Sequence, residues 1–435
     1  MDARNEQADL VTQRDRIRAL IGSAIGSTIE WFDYFLYGTM AVIVFGHLFF
    51  PTVDPLVSQM LSLTTFALAF LVRPLGGIIF SHIGDRIGRK KTLAVTLSLM
   101  GGSTALMGLL PTYDAVGILA PILLIVLRLI QGVALGGEWG GGLLLAVEYS
   151  PRHRRGLYGA VPQLGALVGL ALGNIVASFI TSVLSEQDFI SWGWRVPFLA
   201  SVVLVFLGLW IRKQVGETPS FRKVLESRRT AKVPLLETVK NYKPQLLMAL
   251  GAKAIETSTF FFFATFSVYY LPTLGFQKSQ VLNAVLIAAI LGIFSMLAFG
   301  WLSDRIGRKR VFIGGTVFMF LYAIPFFWLV NSGSYPLAAM AIILGFGVVW
   351  PTYGSTLGTL LAEAFPPAVR YTGTSLGYHV GAAIVGGPMP LIATALLARY
   401  NGNYLPIAFF VMACGLISII AASFTKDKTG QLLDS

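Results

Sequence analysis

Eight ionisable side chains lie within long apolar runs of this 435-residue chain: Glu30, Asp33, Arg73, Arg128, Glu138, Lys253, Glu256 and His379. At the centre of a membrane helix a charge costs about 3 kcal/mol on insertion scales, so each such group marks a function and needs a partner. Glu30 and Asp33 are three residues apart, which places both on one helical face. Lys253 and Glu256 repeat that spacing. They either neutralise each other or leave Lys253 as a cation for a ligand with two charges. Arg128 has Gln131 one turn away. Carboxylates and cations held in a dry site can exchange protons for anions, because burial penalises the carboxylate charge and a nearby cation favours it. His379 suits a proton relay, although a lone membrane histidine more often serves as a hydrogen-bonded structural group.

The neighbours of these charges set the alternatives. Glu138 and Trp139 sit in a small-residue run (Gly132, Gly136, Gly137, Gly140, Gly141, Gly142) of the kind that lets helix backbones approach. A cavity-facing role and a packing role are both open for them. Tyr34, Tyr37, Trp350 and Tyr353 are candidates to line a cavity, whereas the Phe260–Phe263 run reads as helix packing. Arg73-Pro74 is expected to bend its helix and to reach polar groups at the inner gate rather than a substrate. The chain has no nucleophile–base pair and no HExxH-type metal motif. No catalytic residue, metal or cofactor is expected, and a proton is the expected coupling ion.

Membrane helices are the elements that must position these groups. Hydrophobic residues make up 55% of the chain and charged residues 12%, roughly half the share usual in soluble proteins; mean hydropathy is +0.71. Apolar segments recur at 17–50, 56–81, 92–111, 117–147, 156–184, 193–212, 244–272, 281–303, 311–330, 336–362, 371–398 and 403–424. Each can cross a hydrocarbon core of about 30 Å, and the longer ones must tilt or kink. Alternating the loops divides Lys and Arg 27 to 3 between the two sides, with three more inside the segments. That bias predicts both termini in the cytoplasm. It also accounts for the net charge of +12 without nucleic acid as a partner. The single cysteine, Cys414, excludes a disulfide framework. The polar start has no signal-peptide pattern, so the first helix is expected to remain as a span.

GDRIGRKK at 84–91 returns as SDRIGRKR at 303–310, a shift of 219 residues. Glu148, Pro151 and Arg155 return as Glu363, Pro366 and Arg370, a shift of 215. Two markers in the same order predict duplication of a six-helix unit. The expected organisation is a segment 1–16, a bundle 17–212, a polar linker 213–243, a second bundle 244–424 and a tail 425–435, functional as a monomer. In repeat-built transporters the substrate sits near the midplane between the halves.

The two DRIGRK loops resemble the signature loop of the major facilitator superfamily. More narrowly, EWFDYFLYG at 30–38, RLIQGVALGGEWGG at 128–141 and SWGWRVPF at 191–198 resemble the metabolite:proton symporter family, whose members carry shikimate, 2-oxoglutarate, citrate, proline or betaine. The resemblance spans essentially the whole chain. It implies an all-α membrane protein of twelve helices in two pseudo-symmetric bundles, located in the inner membrane. DYFLYG at 33–38 also resembles the sugar-porter pattern, which implies that Asp33 carries the proton with Arg128 as its counter-ion, Glu30 being the second choice, and that Gln163 contacts substrate. A substrate carboxylate that competes for Arg128 would leave Asp33 to protonate, so proton and anion would bind cooperatively and reciprocally. A purely structural salt bridge is the alternative. Ser81 departs from the family pattern, where the loop ordinarily has glycine; the second repeat keeps Gly300.

By the same resemblance the loops form a cytoplasmic gate. Asp85, Arg86, Arg89, Glu148 and Arg155 would close one half, and Asp304, Arg305, Arg308, Glu363 and Arg370 the other. The leading expectation is proton-coupled uptake of a small organic acid. Uptake of a zwitterion such as proline or betaine is the alternative within transport, and drug efflux fits poorly with so polar a cavity. A membrane sensor would need a larger cytoplasmic domain than a loop of about thirty residues.

Overall fold

The computed structural model describes residues 12–51, 55–226, 233–431 and 433. Parts of the expected N-terminal segment, linker and tail (1–11, 227–232, 432 and 434–435) lie outside the described residues. Twelve long helices account for most of the rest. They are α1 (Gln13–Met40), α2 (Pro55–Ile87), α3 (Arg89–Gly108), α4 (Leu119–Glu148), α5 (Arg152–Val183) and α6 (Arg195–Lys213), then α7 (Lys243–Thr273), α8 (Lys278–Ile306), α9 (Arg308–Val330), α10 (Tyr335–Ala364), α11 (Arg370–Arg399) and α12 (Leu405–Ser423). Two short helices, Pro219–Glu226 and Pro234–Asn241, lie between α6 and α7. No strand occurs among the described residues.

Ten of the twelve are long and apolar enough to span a membrane. An eleventh span, α1, runs on through a π-helical turn at Ala41–Phe45 into Gly46–Phe49, bent by 41°. The remaining helix, α3, is 20 residues long but opens on Arg89, Lys90 and Lys91 and is rich in Gly, Ser and Thr. Its hydropathy is diluted because much of it packs on other helices instead of facing lipid. Large apolar side chains such as Val203, Phe206, Phe294 and Leu321 are exposed on the bundle exterior, which without a lipid environment would be an unstable surface.

The packing repeats as the sequence does. In the first half α1 packs on α5, α2 on α4, and α3 on α6; in the second, α7 packs on α11, α8 on α10, and α9 on α12. The halves meet through α2 against α11 and α5 against α8. Further π-helical turns at Phe262–Phe266, Gly345–Val349 and Ala382–Gly386 interrupt α7, α10 and α11. Such turns re-aim side chains inside long helices. The SWGWRVPF segment has a packing role: Trp194 is buried against Phe45, Phe49 and Phe198.

Candidate functional site

Between the halves lies a cavity of about 20 Å³, room for about one water molecule. Its charged and polar lining is Arg73 from α2, Gln163 from α5, Lys253, Glu256 and Thr257 from α7, and Tyr378 and His379 from α11. Aromatic rings close it toward the face opposite the termini. Trp31 packs on Phe260 and Phe70 on Phe261, with centroids 5.4 Å apart in both pairs. Toward the terminal face, Trp139 stacks on Tyr378 at 3.3 Å, joining α4 to α11.

Two ion pairs flank this cavity, and they differ. Lys253 hydrogen-bonds Glu256, and its Nζ lies 3.4 Å from the Tyr378 ring centroid, so it is held on two sides. The neutralising alternative for this pair is the one seen, with Thr257 as a second donor to Glu256 at 2.9 Å. Arg73 approaches Glu30 at 3.5 Å without a hydrogen bond. Its guanidinium sits over Trp31, Tyr34 and Phe70, 4.9–5.3 Å from their centroids. This corrects the expectation that Arg73 reaches the inner gate: its guanidinium is turned to the cavity and its aromatic rings. His379 hydrogen-bonds the Gly136 backbone, while its Nε2 has no partner among the described residues.

The expected Asp33–Arg128 pair does not form. Thr104 donates to Asp33 at 2.7 Å, Gln131 donates to Thr104 at 2.8 Å, and Arg128 donates to Gln131. Arg128 is further held by the Phe66 carbonyl at 3.3 Å and by the Tyr37 ring at 3.8 Å. This chain of neutral groups keeps the two charges apart, because threonine and glutamine occupy the space between them. Arg128, Gln131, Tyr34, Tyr37 and Asp33 form a cluster beside the cavity and are not among its lining residues; the Tyr37 hydroxyl is taken by Thr65 at 2.6 Å.

Other expectations are also redirected. Glu138 faces away from the cavity and is bound by Arg212 and by Thr96 at 2.9 Å. Arg212, at the end of α6, is therefore a buried residue. Tyr353 is turned to Thr259 at 2.9 Å and does not line the cavity. Trp350 and Gln163 do line it. Trp350 donates to the Glu256 carbonyl at 2.9 Å; Gln163 accepts from Trp139 at 2.8 Å and donates to the Gly354 carbonyl of the other half at 3.2 Å. Of the phenylalanine run, Phe260 and Phe261 belong to the cavity, while Phe262 and Phe263 pack against Phe326.

At the terminal face the repeated charges form two latches, and each is built across the halves, not within one. Arg155 pairs with Glu363 at 2.7 Å and Arg370 with Glu148 at 3.0 Å. Asp85 accepts the backbone N–H groups of Tyr371 and Thr372 at the start of α11, at 3.3 and 2.9 Å. Asp304 does the same for Gly156 and Leu157 near the start of α5, at 2.7 and 2.9 Å. A carboxylate at a helix N-terminus meets unpaired donors and the positive end of the helix dipole. Arg89 and Arg308 brace the two aspartates at 3.2 and 2.8 Å. Between α2 and α3, and again between α8 and α9, Gly88 (φ 114°) and Gly307 (φ 102°) make the turn, a backbone region open to glycine.

Arg86 and Arg305 are exposed and stand outside the latch; Arg305 stacks on Trp301 instead. Their position, one residue past each aspartate, turns them to the outer helix face. Ser81 is buried on α2, its hydroxyl turned back to the Ile78 carbonyl.

Several latch residues were not expected. Glu217 receives the Arg89 and Lys90 N–H groups at 3.1 and 3.3 Å, and Thr429 receives that of Arg308 at 3.3 Å. Arg155 and Arg370 also donate to the Gln431 and Leu433 carbonyls. The signal was present as a third repeat: GETP at 216–219 and KDKT at 426–429 each place an acidic residue shortly after a sixth helix. Tyr371 fills the space beside Gly84 and Gly140 and donates to the Gly137 carbonyl.

Comparison with known proteins agrees with this architecture. Residues 23–382 match the family profile described as Major Facilitator Superfamily. The chain is 37% identical over 431 residues to the shikimate transporter of Escherichia coli (strain K12), covering 98% of each chain. It is 38% identical over 434 residues to the inner membrane metabolite transport protein YhjE of the same organism, covering 96% of each. Among solved structures it shares its fold with the proton:xylose symporter XylE bound to 6-bromo-6-deoxy-D-glucose, with a TM-score of 0.77 at 17% identity, over 96% of this chain and 98% of that one.

Proposed function

The chain belongs to the major facilitator superfamily of membrane transporters, and we propose that it takes up a small organic acid together with a proton by alternating access. The observation that carries this reading is the closed cavity between the halves, lined by Arg73, Lys253 and His379 and separated from the terminal face by two cross-half latches. Basic groups at the midplane suit a carboxylate, and the hydroxyl and amide groups beside them suit its polar substituents. The similarity to a shikimate transporter supports a hydroxylated monocarboxylate. The coupling proton is carried by one of the two buried carboxylates of α1, Glu30 or Asp33. We place the protein in the inner membrane with both termini cytoplasmic, as the 27-to-3 charge bias favours; the latches then close the cytoplasmic side.

Uptake of a zwitterion is the second reading. It is favoured by one observation, that Arg73 and Lys253 are each matched by a carboxylate, Glu30 and Glu256. Purified protein in liposomes separates these readings. With an inward proton gradient, shikimate should accumulate above its external concentration, and a protonophore should abolish the accumulation. Uptake that only equilibrates and ignores the protonophore would remove proton coupling. Accumulation of proline or betaine but of neither shikimate, 2-oxoglutarate nor citrate would select the zwitterion.

A further inference from the structure

Arg73 and Glu30 form the least satisfied of the buried ion pairs. The guanidinium is buried and lines the cavity, yet its Nε and Nη2 have no hydrogen-bond partner among the described residues. Those two N–H groups lie side by side on one edge of the guanidinium, the edge that grips a carboxylate in a bidentate fork. Glu30 stands on the Nη1 side at 3.5 Å, and neither of its oxygens has a hydrogen-bond partner among the described residues. It is fully buried. Every other buried carboxylate of the first half is better held: Glu138 by Arg212 and Thr96, Glu148 by Arg370, Asp85 by two backbone N–H groups, and Asp33 by Thr104. A buried polar group left without partners demands an explanation, and here two such groups face each other.

We propose that Arg73 is the carboxylate anchor of the substrate and that Glu30, displaced as its counter-ion, takes up the coupling proton. The inference rests on reading the cavity as an organic-acid site. A substrate carboxylate on the open edge of Arg73 satisfies the cation with two charge-assisted hydrogen bonds, and Glu30 is left as an anion without a counter-ion in a dry pocket. Such a group is neutralised by binding a proton, since an unpaired buried charge is far costlier than a neutral acid. No covalent bond changes: one proton moves from water to a Glu30 oxygen, and one anion moves onto Arg73. The charged groups around Glu30 are Arg73 on α2, Glu138 on α4, Arg212 on α6 and Lys253 on α7. Glu138 and Arg212 neutralise each other, and Lys253 is engaged by Glu256. Arg73 is therefore the one cation whose occupancy substrate can change. The aromatic rings around it exclude water, which is what makes the exchange obligatory. Asp33 is not part of it, because the Thr104–Gln131 chain isolates it from both Arg73 and the cavity.

The test is the affinity for shikimate measured by calorimetry between pH 5.5 and 8, on wild type, Glu30→Gln, Asp33→Asn and Arg73→Lys, each checked for monodispersity. One linked proton makes wild-type affinity rise about tenfold per unit fall in pH over the range where Glu30 exchanges its proton. Glu30→Gln should bind shikimate with no pH dependence, exchange it across liposomes, and fail to accumulate it. Arg73→Lys keeps the charge but loses the fork, and should weaken binding about 10- to 100-fold. If Glu30→Gln keeps the wild-type pH slope while Asp33→Asn loses it, the proton is on Asp33 and the inference is overturned with the organic-acid reading intact. If wild type binds neither shikimate nor 2-oxoglutarate nor citrate at any pH, the organic-acid reading falls, and this inference with it.

Discussion

The latches and the cavity are made of the same chemistry, buried arginines against buried carboxylates, but they use it in opposite ways. At the terminal face Asp85 and Asp304 each receive two backbone N–H groups and a bracing arginine. Glu148 and Glu363 each receive arginines from both halves, and the two cross-half arginines also reach tail carbonyls. At the midplane Arg73 and Glu30 touch without a hydrogen bond and keep four unpartnered polar atoms between them. In the latch every carboxylate is held by at least two donors or cations, although single oxygens of Glu148 and Glu363 stay without a hydrogen bond among the described residues. Deficient satisfaction leaves, at Arg73 and Glu30, the atoms that the proposed anion and proton would complete. Breaking a buried pair costs about 3–5 kcal/mol, because it strands a charge. The same loss should therefore shift conformation in the latch and affinity in the cavity.

The largest effect is expected from Arg155→Ala combined with Arg370→Ala, which removes both cross-half pairs and leaves Glu363 and Glu148 only their same-half partners Arg308 and Arg89. Spin labels on cysteines at positions 86 and 305, exposed and outside the latch, should report a new population of longer distances; Cys414 would be replaced by alanine. An unchanged distribution would mean that these pairs do not hold that face closed. Arg73→Lys in the same background should leave the distances as they are, which sharpens the contrast.

Next in size is the midplane pair of α7. Lys253→Met strands Glu256 and should lower stability by about 3 kcal/mol or more, read as a drop in Tm. Lys253→Met with Glu256→Leu should recover most of that loss, since no charge is left unpaired. A double variant as unstable as the single would show that the pair is held by more than mutual neutralisation.

A smaller effect tests the Tyr371 wedge beside Asp85. A Cβ on Gly84 would lie 2.3 Å from the Tyr371 ring, so Gly84→Ala should cost about 1–3 kcal/mol through overpacking and lengthen the 86–305 distance. Gly102→Ala, with nothing within 4 Å of the new methyl, should be neutral or stabilising by up to about 1 kcal/mol. Equal behaviour of the two would remove the wedge role of Tyr371.

The bundle architecture was legible because lipid imposes a simple rule: spans must be long, apolar and helical. Only α3 blurred it, because it opens on Arg89, Lys90 and Lys91 and buries Thr92, Thr96, Ser103 and Thr104 against other helices. The latch residues were legible because duplication printed them twice. Their partners were not: a repeat says that Arg155 and Arg370 correspond, but not that each reaches into the opposite half. Arg73 was misplaced because its neighbour Pro74 suggested a bend near the gate, and a bend does not say which way a side chain turns. Asp33 and Arg128 were rightly singled out as buried. Their pairing failed because Thr104, an unremarkable residue in the sequence, stands between them.

From the residues alone, the pattern of hydropathy and charge determines a twelve-helix, two-half membrane protein, and the repeated loops mark the charges that pair at the terminal face. Those features depend on local composition and on copying, both of which are written along the chain. Which carboxylate meets which cation is decided only by the tertiary structure. Such contacts lie between helices distant in sequence, where a shift of one side chain separates a satisfied pair from an open one. Arg73 and Glu30, on α2 and α1, are the open pair.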